Sequence, residues 1–306
     1  MKNKLGKPLS CALLLRKLAS PFESRLPDSR FRLIPYEVFM KVSYILASTI
    51  HGTLIVNRND ENQNDKYGIY GVGWNILETG AFYKNDIDLL VAILKLKKSL
   101  MNGKRKIVAI DCGANIGVHT VEFARALEGA GEVISIEAQR PVYYALCGNI
   151  AINNCLNVEA KNAAIGDTNG TLKIPNVDYH KKSSFGSLEL IEGKGNEDIG
   201  QCVDYNSGYD VPLITIDSLN CSEIDLVKID VEGMEMSVLK GASKTLNSSR
   251  PVMFVEKIKS DFDEMLMYLA SKKYRIHDLG DNIIAVSDED SASSEIWKII
   301  QNFGRY

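Results

Sequence analysis

The sequence predicts an α/β fold built on a mostly parallel, doubly wound sheet that closes with an antiparallel hairpin, and three observations predict it. From Lys106 onward, short β-branched runs alternate with helical segments, as βαβ units require. Each run is nearly continuously apolar, the pattern of strands covered by helices on both faces. The last two runs, YRIHDL and IIAVSD, flank a turn at Gly280-Asp281-Asn282 and read as a hairpin. With 306 residues, 45% of them hydrophobic, the chain can bury a sizeable core as one large domain with an extension.

Residues 1–84 read as an N-terminal extension of mixed helix and strand that could contact substrate or another subunit. Its basic stretch up to Lys41 carries nine Lys or Arg against Glu23, Asp28 and Glu37. A solvated helical cap explains this, and an acidic partner or membrane surface is the alternative. The run Cys11 to Leu15 follows Lys2, Lys4 and Lys7, but Arg16 and Lys17 cut it below the length of a signal peptide. Between Val38 and Val56, Lys41, Ser43, Ser48, Thr49, His51 and Gly52 interrupt the apolar residues, so no transmembrane segment is expected there, but packed helix and strand. A cytoplasmic location is the expectation.

Residues 85–289 form the expected catalytic domain. Its first helix, NDIDLLVAILKLKKSL (85–100), has acids early, lysines late and a stop at Asn102-Gly103. Strands follow at 106–111, 132–137, 157–163, 224–230 and 251–256, with helices near 116–128, 140–153, 233–247 and 260–272. The segment 166–175 looks like a hairpin arm. Residues 176–210 are polar, rich in Gly, Ser, Asn and Tyr, and aperiodic, which predicts an insertion that either covers the site as a lid or stays disordered. Residues 290–306 are expected to end the chain as a helix.

Composition argues against several functions. A formal net charge of −3 gives no global electrostatic reason to expect nucleic-acid binding, and no NPPY-like tetrapeptide is present to accept a flipped base, so nucleic-acid methylation is a weaker alternative supported by the basic N-terminus alone. The six cysteines include no CxxC pair and the four histidines are scattered, so neither a zinc cluster nor a disulfide framework is indicated. Cys112 has no base near it in sequence for covalent chemistry.

The informative segment is VAIDCGANIGVHT (108–120), in which a buried strand ends at Asp111 and a glycine-containing turn leads into a helix. Ligands of open parallel sheets sit at the carboxyl ends of the strands, so a cofactor is expected here. Gly113 and Gly117 allow close approach of ligand or helix to the backbone. Asp111 and Asn115 stand where the dinucleotide fingerprint places glycines. A pyrophosphate would be repelled by Asp111, whereas the sulfonium and ammonium groups of S-adenosylmethionine would be attracted. Glu137 ends the next strand, where an acid accepts both ribose hydroxyls, a feature shared by NAD-binding and methyltransferase folds.

Together with IDCGANIGVHT, the segments SIEA, NAAIGDTNGTLKI, TIDSL, LVKIDVEGMEMSVLKGA and RPVMFVE resemble the FkbM family of S-adenosylmethionine-dependent methyltransferases over roughly residues 80–288. The run KIDVEGMEMSVLKGA is the most discriminating. The resemblance implies a Rossmann-like, seven-stranded methyltransferase fold. It also implies cofactor contacts at Asp111, Gly113, Asn115, Gly117 and Glu137, with Ala114 and Ala138 in the same turns and the site completed at Asp230. Family members methylate hydroxyls of sugars, polyketides or other natural products, and some act on peptide amide nitrogens. The expected partner is accordingly a small-molecule, glycan or peptide acceptor.

Asp230 ends a central strand, on the same rim as Asp111 and Glu137. Asp230, Glu256 and Glu232 are the catalytic candidates, the first two for acceptor orientation and general-base work. Glu232 and Glu235 stand at a helix N-terminus, where acids are also favoured structurally. A divalent cation held by Asp230 and Glu256 is the alternative reading of that pair. His180 in the insertion could act as a base or simply be solvent-exposed, and His119 reads as a packing or capping residue. Competing with the whole assignment are an NAD(P)-dependent oxidoreductase and a non-catalytic cofactor-binding protein.

Overall fold

A computed structural model describes residues 42–65 and 68–303. The basic stretch up to Lys41, and with it the short run Cys11 to Leu15, lies outside the described residues. The described residues from Ser43 onward form one compact unit.

The chain begins with a hairpin, β1 (Tyr44–Thr49) and β2 (Gly52–Asn57), followed by the short pair β3 (Asn62–Asn64) and β4 (Gly68–Tyr70). Helices α1 (Val72–Thr79) and α2 (Lys84–Met101) lead into the sheet. Strands β5 (Ile107–Cys112), β6 (Gly131–Glu137) and β7 (Val158–Asn162) alternate with α3 (Val118–Leu127) and α4 (Arg140–Ile152). A three-stranded arm of β8 (Ala164–Ile165), β9 (Gly170–Asn176) and β10 (Asp204–Ile214) interrupts the alternation. It resumes with β11 (Leu226–Ile229), α5 (Glu235–Gly241), α6 (Ser243–Ser248), β12 (Val252–Glu256) and α7 (Phe262–Ser271). The hairpin β13 (Tyr274–Asp278) and β14 (Asn282–Ser287) then precedes α8 (Ser293–Phe303).

The central sheet has seven strands in the order β13-β14-β12-β11-β5-β6-β7. Strands β12, β11, β5, β6 and β7 are parallel, and β14 runs antiparallel to both of its neighbours. This is the mostly parallel sheet with a C-terminal antiparallel hairpin that the strand pattern predicts. Because β5 is wholly buried, its residues alternate between two cores. Val108, Ile110 and Cys112 pack with α5, α6 and α7, whereas Ile107 and Ala109 pack with α2, α3 and α8. The continuous apolar runs therefore reflect a three-layer sandwich. The chain winds outward from β5 through β6 to β7, then returns to lay β11 on the other side of β5. That reversal opens a crevice between the ends of β5 and β11, the position where open α/β sheets bind ligands.

Two segments differ from the sequence-based expectation. The boundary expected after residue 84 falls at the start of α2, but residues 43–84 share one core with the domain: Leu54, Val56 and Ile76 pack with Val118, Val142 and Ala145. Asn149, fully buried on α4, fastens β2 by accepting the N–H of Ile55 and donating to its carbonyl. In the expected aperiodic insertion, residues 204–210 are strand, paired antiparallel with β9 across a register shift. Their alternation is masked by Asn, Ser, Gly and Asp in a strand with one exposed face.

Candidate active site

The turn after β5 is shaped by what lies against it. Gly113 has φ +71°, and a Cβ there would stand 1.7 Å from the carbonyl oxygen of Asp230, so only glycine lets the ends of β5 and β11 meet. The amides of Gly113 and Ala114 both donate to the carbonyl of Ile136, which binds the turn to β6. Asn115 adopts φ +51°, a conformation open to Asn, and its side chain accepts the N–H of Ile116. Gly117 starts α3 with φ +89°, and a Cβ there would meet Leu146 at 2.5 Å, so its role is helix packing.

Glu137, at the end of β6, accepts the backbone N–H of Asn115 at 2.9 Å and that of Gln139 at 2.7 Å. Burial raises its pKa to about 7, against the pull of those two amides and of Lys228. Its carboxylate, Gly113, Ala114, Asn115 and Ala138 all border one cavity of about 520 Å³, within the size range of small-molecule sites.

Asp111 is placed differently from the sequence expectation. It is 0% exposed and does not border the cavity. One carboxylate oxygen accepts from Thr120, and the other lies 3.4 Å from the ammonium of Lys228. Lys228 also donates to the carbonyl of Gly113 at 2.8 Å and lies 3.2 Å from Asp230. Burial alone would discharge this lysine, but Asp230 and Asp111 outweigh it and its pKa rises. A fixed cation thus sits beneath the glycine turn, and Asp111 acts on the site through it. Gly117 likewise stands outside the cavity wall, for the packing reason given above.

The three catalytic candidates do come together. Oxygens of Asp230, Glu232 and Glu256 lie within 4.8 Å of one another at the rim of the same cavity. That spacing would suit a hard cation, but Asp230 is paired with Lys228 and Glu232 with Lys259 at 2.6 Å. Burial, then repulsion from Asp230, raises Glu232 to about 8, and burial with repulsion from Asp230, Glu232 and Glu235 raises Glu256 to about 10. Glu235, fully buried, accepts the amides of Val231 and Gly233 and is a brace for the turn that presents Glu232.

The family model for the methyltransferase FkbM domain matches residues 111–276. The chain belongs to the FkbM methyltransferase family. The methyltransferase sdnD of Sordaria araneosa is 27% identical over 158 residues, which cover 44% of this chain and 60% of that protein, so the match spans less than two thirds of the relative's length. Among solved structures, a methyltransferase FkbM from Methylobacillus flagellatus KT is similar at 18% identity and a TM-score of 0.43, over 59% of this chain and 43% of that one. Magnesium protoporphyrin IX methyltransferase from Synechocystis PCC 6803, solved with bound SAM, is similar at 11% identity and a TM-score of 0.40, over 72% and 88% of the two chains.

In this FkbM chain the site uses residues to which the sequence reading assigned no role, Lys228 of the KIDVEG run among them. Lys228 had a visible signal, since a lysine inside an otherwise apolar strand is seldom buried without a charged partner. Lys259 had none, because its partners Glu232 and Glu197 are distant in sequence. Trp74 and Tyr83, on the segment before the matched region, also border the cavity. His119 does too: 7% exposed, it stacks edge-on against Phe123, burial holds its pKa down at about 3, and its Nε2 has no hydrogen-bond partner. His180 lies elsewhere, exposed and bonded to Ser43. Cys112 is buried, and burial pushes its thiol pKa up, away from nucleophilic use. Among the described residues, no helix is long and apolar enough to cross a membrane.

The segment expected either as a lid or as a disordered insertion borders the cavity through Ser184, Gly186, Ser187, Leu188, Leu190 and Glu197 and is tied down by side-chain contacts. Phe185 donates its amide to buried Asp60, gives its carbonyl to Gln139 and stacks on Tyr179 with ring centroids 4.7 Å apart. Lys259 anchors the next stretch through Glu197 at 3.0 Å and the carbonyl of Ser187 at 2.9 Å. Of the other two aromatic residues, Tyr205 bonds to the carbonyl of Glu189, and Tyr209 accepts the amide of Arg140 beneath its guanidinium.

Proposed function

We propose that the chain is an S-adenosylmethionine-dependent O-methyltransferase acting on a hydroxyl of a glycan or secondary metabolite, with the domain expected over residues 85–289 extended by the residues from Ser43 that share its core. The observation that carries this reading is the placement of Glu137, a carboxylate fixed by two backbone amides beside a glycine turn at the reversal point of the sheet. A carboxylate so held accepts two ribose hydroxyls without reorganising. The turn lacks the glycine pattern for a pyrophosphate, and the acids near it suit a cofactor that carries positive charge.

Bound there, S-adenosylmethionine supplies an electrophilic methyl group. Glu137 and Ala138 would hold its nucleoside end, and Gly113, Ala114 and Asn115 its amino-acid end. Asp230, 34% exposed on its side chain and oriented by Lys228, would position the acceptor hydroxyl and take its proton as the carbon–oxygen bond forms. Glu232 and Glu256 flank it and set the charge around the acceptor. Lys228 keeps Asp230 aimed and Gly113 in register.

Calorimetric titration with S-adenosylhomocysteine, NADH and NADPH tests the assignment. Micromolar binding of S-adenosylhomocysteine alone, lost in Glu137→Ala, is expected. Binding of a nicotinamide cofactor in its place would overturn it.

A further inference from the structure

The acceptor end of the cavity is short of positive charge. Among the described residues, six carboxylates border the cavity, those of Glu137, Glu197, Asp230, Glu232, Glu256 and Asp281, against two ammonium groups, Lys228 and Lys259. Both lysines are fully engaged. Lys228 is shared among Asp111, Asp230 and the Gly113 carbonyl, and Lys259 among Glu232, Glu197 and the Ser187 carbonyl. Among the described residues, Glu256 has no cation within ion-pair distance, and its buried Oε2 has no hydrogen-bond partner. Independently, the buried Nε2 of His119 on the same cavity is also unpartnered. The cationic groups of the cofactor are assigned above to the Gly113 turn and Asp230, so a buried Glu256 without a cation calls for a second ligand that brings donors and positive charge.

We infer that the methyl acceptor carries a protonated amine, held by Glu256 and Glu232 beside Asp230 and covered by Tyr83 and Trp74. An ammonium offers three donors and no acceptor, which matches these groups, whereas a hydroxyl offers one donor and no charge. Tyr83, half-exposed, borders the same cavity, where its ring can cover a cation. A divalent cation is disfavoured because it would have to displace Lys228 from Asp230 and Lys259 from Glu232. That the amine belongs to the acceptor rests on the methyltransferase reading above.

The test compares tyramine, an ammonium probe, with its uncharged isostere 4-(2-hydroxyethyl)phenol, and with magnesium chloride. Each is titrated into the full chain with and without S-adenosylhomocysteine. Tyramine is expected to bind about tenfold or more tightly than the isostere, as a charge-assisted hydrogen bond provides. The preference should shrink below about threefold in the double variant Glu232→Gln with Glu256→Gln. Tyr83→Ala, at an exposed side chain, should weaken tyramine binding more than isostere binding. Equal affinity for the two probes, binding of neither, or binding of magnesium in preference to tyramine would overturn the inference. S-Adenosylhomocysteine separates the two readings. If it binds and tyramine is not preferred, only this inference falls. If tyramine is preferred and S-adenosylhomocysteine does not bind, the cation site stands and methyl transfer falls.

Discussion

Lys228 is the residue on which the geometry of the site depends most. It is buried among Asp111, Asp230 and the Gly113 carbonyl, so its removal strands a fully buried carboxylate. Breaking one side of a buried ion pair costs about 3–5 kcal/mol. Lys228→Met should therefore lower the thermal midpoint by several degrees and weaken S-adenosylhomocysteine binding in calorimetry, and an unchanged midpoint would show that the lysine is not structural. Glu137 makes a prediction about pH. Its pKa is raised from 4.5 to about 7, so the folded chain holds the proton more tightly than the unfolded chain. The contribution to stability is thus full below about 4.5, falls as pH rises towards 7 and is flat above it. Ribose hydroxyls need the ionised form as acceptor, so cofactor affinity runs the other way. It should rise by up to about tenfold per pH unit as pH approaches 7, then level off. Glu137→Gln should abolish that slope, which titrations at several pH values would show. At this scale Glu137 and Gly113 were legible because their types fit one position of a strand-turn-helix unit. The burial of Asp111 was not, since it depends on Lys228, which lies far along the chain.

At the scale of elements, the wall formed by residues 177–203 has little regular structure and is held by a few side chains. Asp60 takes the amides of Gly73 and Phe185, and Lys259 joins Glu197, Glu232 and the Ser187 carbonyl. Lys259→Ala should accelerate amide exchange in residues 184–199 and at Val231 and Gly233, while β5 and β6 stay protected. Exchange confined to the site of substitution would mean that the wall stands without the lysine. The central strands and helices could be read because burial on both faces leaves continuous apolar runs. The second half of the insertion could not, because β10 exposes one face and alternates among polar residues, and the wall depends on long-range contacts that no local pattern records. Residues 43–84 were hard to read for a related reason: their apolar positions are spread over two short strands and a helix that share one core with α3 and α4.

At the scale of the molecule, the order of the sheet places everything else. Winding outward from β5 and returning to β11 brings Gly113 against Asp230 and sets Glu137 one strand away. The sequence carried the type of sheet and the rim on which the acids stand, because strand ends can be counted. It did not carry the contribution of Trp74 and Tyr83 to the cavity, since only packing brings them there. The claim that joins these scales is that the cavity is an S-adenosylmethionine site with its methyl group directed at the Asp230 rim. A crystal structure with S-adenosylhomocysteine tests it most directly. The account predicts ribose hydroxyls on the Glu137 carboxylate, the amino-acid end at the Gly113 turn, and the sulfur facing Asp230. A ligand bound elsewhere, or one whose sulfur faces away from Asp230, would contradict it.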